Sequence, residues 1–181
     1  MRRIHIKHAA YHLTYITQDR YPYFEEDIFC NLFLDQLEWV AQKKFMVVVA
    51  FKINPDHVHL VVQLNSKFTC SDVSRSLKRS TSIRINELIA YFSVEPRQRF
   101  LTHAIPEIYY TMFRRKHGGV LYHPYRLFYW RRGFHDNLIK SRKQFENTLE
   151  YLRLQSRHHG YDDNVYLKLD YSAIGKIQFV R

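Results

Sequence analysis

The chain of 181 residues holds only two cysteines, five glycines and five prolines. Cys30 and Cys70 stand alone, with no CxxC pair, so neither a disulfide framework nor a thiolate zinc cluster is expected and a reduced compartment is. Scarce glycine and proline leave little room for long structureless linkers. Acidic groups are also few, 17 against 28 Lys and Arg, which gives a net charge of +11. No window approaches the roughly 20 apolar residues of a membrane span, and the N-terminus has no apolar signal-peptide core. A cytoplasmic protein with no membrane partner is therefore expected. The cationic excess then points to nucleic acid.

Hydrophobic residues make up 46% of the chain and aromatics 16%, too many for a disordered polymer. The length suits one self-sufficient core. We expect one domain over residues 1–160, followed by a tail over 161–181 in which no chemistry is legible.

The informative stretch is Asn54-Pro55-Asp56-His57-Val58-His59-Leu60-Val61-Val62. Apolar runs flank it, Phe45 to Phe51 upstream and Leu60 to Leu64 downstream, and Asn-Pro-Asp is strong turn chemistry. The pattern predicts two paired strands, the second starting near His57. Side chains alternate across a strand, so His57 and His59 share one face while Val58, Leu60 and Val62 take the other. Two imidazoles with Cα atoms about 6–7 Å apart can converge on one cation. Paired core histidines bonded to carbonyls would give the same pattern. A cupin-type site would want a Glu soon after the pair, and residues 60 to 67 contain none. A His-x-His-x-Asp-His hydrolase would want Asp and His where Val61 and Val62 stand. Any third ligand must come from elsewhere.

Around this pair the periodicities are simple. Tyr11 to Thr17 alternate as a strand, and residues 18–23 form a loop. Glu25, Glu26 and Asp27 load a helix start, and Ile28, Leu32, Phe33, Leu37 and Val40 form its buried stripe. A second helix begins near a capping Ser71 and carries Arg75, Lys78, Arg79 and Arg84 among serines and Thr81, a mixture suited to phosphate oxygens or to a solvated face. Arg114, Arg115 and Lys116 form a basic turn, and the aromatic run Tyr122 to Trp130 leads to Arg131 and Arg132. Interleaved bases and rings suit stacking and phosphate contact, although rings also fill cores. Ser141 with Gln144 predicts a capping box for the last helix, buried along Phe145, Leu149 and Leu152 and ending before Gly160. Tyr151 and Gln155 then project from one helix face, one turn apart.

These residues resemble a known family. Asp56-His57-Val58-His59-Leu60 is similar to the His-hydrophobe-His signature of HUH single-strand nucleases, and Leu77 to Ser82 resembles the basic-serine segment of small single-tyrosine transposases. Trp130 to Ile139, Glu150-Tyr151-Leu152 and Gly160 resemble the REP-associated tyrosine transposases. The resemblance spans roughly residues 8–160. It departs at Gln155-Ser156, where REP-associated proteins show Asn-Pro and insertion-sequence transposases show Gln.

The resemblance implies an α+β fold, a central antiparallel sheet flanked by helices. It implies Tyr151 as nucleophile and Gln155 as the polar group completing a metal site with His57 and His59. The metal would be Mg²⁺ or Mn²⁺, since thiolates are absent and the substrate is a phosphate. The neighbouring cation would favour the phenolate of a side chain that is otherwise un-ionised at neutral pH. The product would be a 5′-phosphotyrosine with a free 3′-hydroxyl. The partner would be single-stranded or hairpin DNA, met by a monomer or homodimer in the bacterial cytoplasm or nucleoid. A domesticated hairpin-binding protein, or a nicking nuclease of the replication-initiator or relaxase kind, would share much of this pattern.

Overall fold

Alternating strands set the frame. In the computed structural model, which describes residues 6, 8–65, 67–93, 105–118, 125–161, 165–177 and 179, β1 (Ala10–Ile16), β2 (Val47–Asn54), β3 (His57–Gln63), β4 (His135–Ile139) and β5 (Leu167–Leu169) form one sheet. Its order is β4-β1-β3-β2-β5 and every pairing is antiparallel. The expected α+β architecture is what the chain adopts, with β3 at the centre.

Helices α1 (Asp27–Lys44), α2 (Cys70–Tyr91) and α3 (Glu107–His117) lie on one side. The main core fills that side, with Tyr11, Leu13 and Tyr15 from β1 and Val58, Leu60 and Val62 from β3. The other face is divided. Its apolar half, Ala10, Ala50, Val61 and Ile139, packs under Phe145, Leu149 and Leu152 of α4 (Arg142–Arg153). Its polar half stays outside that packing and is described below. Among the described residues no helix is long and apolar enough to cross a membrane.

Several boundaries differ from expectation for physical reasons. Phe45 is not strand: it is the left-handed C-cap of α1, and its ring is 68% exposed. The cap of α2 is Thr69 rather than Ser71, and Thr69 and Asp72 satisfy each other's backbone N–H groups. Ser141 caps α4 by accepting from the Gln144 N–H, but the Gln144 side chain accepts from Lys140, so the expected box is half made. The last helix breaks at Leu154 (φ −92°, ψ 1°), and α5 (Gln155–His159) follows before the left-handed Gly160. Residues 161–181, read as a tail, supply β5 against β2, and Ala173 and Ile177 join the core beneath α4. Tyr122 lies outside the described residues.

Candidate active site

Strand register assembles the polar half of the divided face. Thr14 on β1 pairs with His59 on β3, and Asn54 on β2 pairs with His57. Directly cross-strand residues share a face. His12, Thr14, His57, His59, Lys52 and Asn54 therefore form one patch, extended by His135 and Asn137 of β4. A bulge between Val48 and Ala50 sets the phase of β2.

The two histidines and the amide from α5 meet. Oε1 of Gln155 stands 2.9 Å from Nε2 of His59 and 3.4 Å from Nε2 of His57. All three side chains are buried. The Asp56 carboxylate, 2.5 Å from Nδ1 of His57, can only accept, so Nδ1 donates to it and Nε2 is the nitrogen turned toward Gln155. Burial alone would raise the Asp56 pKa. The hydrogen bonds from His57 and Arg20 outweigh it and hold the group at about 2. Nδ1 of His59 lies 3.0 Å from Nε2 of His12 and 3.1 Å from Oγ1 of Thr14. Burial, aided by the neighbouring rings of His12 and His57, pushes His59 down to about 2, and burial pushes His12 down to about 4. Both rings are neutral at neutral pH, the form that ligates metal.

This donor set fits a divalent ion. Groups bound octahedrally at about 2.1 Å stand about 3 Å from one another, close to the separations between Gln155 and the rings. Two imidazole nitrogens and an amide oxygen suit Mn²⁺ or Mg²⁺ better than a thiolate-seeking ion. Among the described residues no three His, Cys, Asp or Glu side chains gather for a metal; here the third donor is an amide.

Tyr151 stands at the edge of this cluster, 41% exposed. Its ring centroid is 5.5 Å from that of His59 and 6.1 Å from that of His12. The ring borders an open groove of about 380 Å³ that also meets Asn137, Gln144 and Thr148. The nucleophile candidate is thus accessible, whereas the ligand candidates are sheltered.

The family model for IS200-like transposases matches residues 5–101, more than half of the chain. The chain belongs to the IS200-like transposase family. The matched segment contains His57 and His59 and ends before Tyr151 and Gln155. Among solved structures, a REP-associated tyrosine transposase bound to a REP hairpin is similar, with a TM-score of 0.64 over 92% of this chain and 80% of that one. At 13% identity the likeness is one of fold. A candidate transposase from Deinococcus radiodurans has a TM-score of 0.47 at 17% identity, covering 86% of this chain and 96% of that one. No curated protein sequence matches.

The basic residues of the transposase fall into groups. Arg131 and Arg132 line a depression of about 200 Å³ with Thr14 and His135, next to the Tyr151 groove. Lys78 donates to the backbone carbonyls of Arg131 and Gly133, both at 2.6 Å, and so holds that loop. Arg75 lies 3.7 Å from Asp72. Arg79 and Arg84 flank the exposed Trp39 on the helical side of the sheet. Lys116 pairs with the buried Glu26 at 3.0 Å, Arg114 leans on Tyr91 and Phe92, and Arg115 is exposed beside them. His12, Thr14, Asn54 and Asp56 join the site although no local pattern in the sequence by itself marks them as site residues. Alternation of His12 and Thr14 on β1 was the available signal, but without the register it does not say which strand they face.

Proposed function

We propose that this transposase cuts and rejoins single-stranded DNA through a phosphotyrosine at Tyr151, with His57, His59 and Gln155 holding Mg²⁺ or Mn²⁺. The observation that carries this reading is the meeting of two imidazoles and an amide oxygen beside an accessible tyrosine. When bound, the ion supplies Lewis acidity at the scissile phosphate and orients it for in-line attack.

The residues of the chain do the rest. Tyr151 Oη forms a bond to phosphorus as the bond to the 3′ oxygen breaks. The phenol gives up its proton, and the departing 3′ oxygen gains one. The 5′ phosphate stays on tyrosine, and attack by the 3′-hydroxyl of another strand reverses the step without ATP. Asp56 fixes the ring of His57, and His12 with Thr14 fixes that of His59. Arg131 and Arg132 sit where they can hold the strand's phosphates beside the groove. The likeness to a hairpin-bound relative, together with the cationic excess, supports single-stranded or hairpin DNA as the partner.

The test is incubation with end-labelled single-stranded DNA and Mn²⁺, followed by denaturing electrophoresis. Label on the 3′ side of the cut should migrate with the protein. Label from the 5′ side on the protein would reverse the polarity, and a cut without any adduct would remove the tyrosine mechanism.

A further inference from the structure

We propose that Asn54 is a fourth protein ligand to the cation, presenting its amide oxygen from β2 beside His57, His59 and Gln155. This rests on the metal reading of the site given above. Asn54 is 1% exposed and pairs directly across the ladder with His57. Its carboxamide reaches the point where the other donors meet, with Nδ2 3.0 Å from Nε2 of His57 and 3.4 Å from Oε1 of Gln155.

The orientation of that amide is the informative part. Pointed this way, its N–H₂ donates to His57 and Gln155, while Oδ1 has no partner among the described residues and neither does Nε2 of Gln155. A buried carbonyl oxygen without a partner is unfavourable. A half turn about the terminal bond exchanges nitrogen and oxygen with almost no change of shape. Oδ1 would then stand where Nδ2 does, about 3 Å from His57 Nε2, the separation of neighbouring octahedral ligands. A cation repels an N–H aimed at it and attracts a carbonyl oxygen, so ion binding favours the turned amide. Two nitrogens and two oxygens leave two of six octahedral positions, enough for one phosphate oxygen and one water. A second hard oxygen also biases the site toward Mn²⁺ and Mg²⁺.

The experiment uses the full chain without DNA and Mn²⁺ alone. Affinity is read from the free-ion electron paramagnetic resonance signal, and the number of bound waters from pulsed spectra in ¹⁷O-enriched water. Asn54→Leu should weaken Mn²⁺ about tenfold or more and add one bound water. Asn54→Asp, which keeps an oxygen in place, should bind more tightly than the wild type with no added water. Asn54→Ser gives the same comparison as the leucine variant if leucine prevents folding. Wild-type affinity and water count in the folded Leu or Ser variant overturn the proposal. His57→Ala separates the two readings. If it abolishes Mn²⁺ binding while the Asn54 variants match the wild type, only the fourth ligand fails. If the wild type binds no Mn²⁺, both fail.

Discussion

The amide oxygen of Gln155 lies 2.9 Å from Nε2 of His59 across 96 residues of chain, joining α5 to the central strand. Both partners are buried, so neither reaches this position without the fold. Replacing His57 and His59 together by alanine should therefore abolish cleavage. DNA binding should stay within a few-fold of the wild type, because phosphate contacts made elsewhere supply most of it. Strand cleavage and fluorescence anisotropy on the same preparation check this. Parallel loss of both would mean that the histidines support the fold rather than the chemistry.

Tyr151→Phe removes one oxygen and keeps the ring beside His59 and His12. The variant should fold, bind Mn²⁺ and bind DNA as the wild type does, yet give no covalent adduct. An undiminished adduct would transfer the role to another tyrosine. Tyr125 is a poor substitute, since its hydroxyl donates to Glu26 and burial, with the Glu26 charge, raises its pKa.

Arg131→Ala and Arg132→Ala should each weaken single-strand binding and reduce the slope of log affinity against log salt by about 0.7. Titrations between low and physiological salt measure it. Hairpin or single-stranded DNA should also bind more tightly than a plain duplex. An unchanged slope in both variants would place the strand on another face, with Arg79 and Arg84 as the next candidates.

Glu26 predicts a pH effect away from the site. Burial would raise its pKa, but hydrogen bonds from Lys116, His117 and the Ile28 N–H outweigh this and lower it. A carboxyl depressed in the folded state stabilises above its unfolded value, about 4.3, and that contribution is lost as pH falls through the lower folded value. Glu26→Gln should be about 1 kcal/mol less stable than the wild type at pH 7, since the Lys116 left behind is half exposed, and the gap should shrink toward pH 3. Urea unfolding at both values checks the sign; an equal gap would assign the loss to shape rather than charge.

Much of this arrangement was legible locally. The alternation around His57 and His59, the turn at Asn54-Pro55-Asp56 and the stripe of Phe145, Leu149 and Leu152 each depend on residues a few positions apart. Contacts set by long-range register were not. His12 and Thr14 acquire meaning only when β1 lies against β3. Leu167–Leu169 is too short to read as a strand until β2 offers it an edge. Phe45 has the composition of a strand but must turn the chain out of α1. The break at Leu154 has no proline or glycine to announce it.

One extra residue on β2 has wide consequences. Val49 is the surplus at the bulge: Val48 pairs with Val62, but Ala50 already pairs with Val61. Were Val49 to pair with Val61 in a regular ladder instead of bulging, every later pairing would slip by one, setting Phe51 opposite His59 and Ile53 opposite His57. Lys52 and Asn54 would swing into the main core, and two large apolar side chains would enter the polar patch. The boundary between an oily interior and a polar surface is thus written as a frame, and the bulge at Val49 keeps β2 in it.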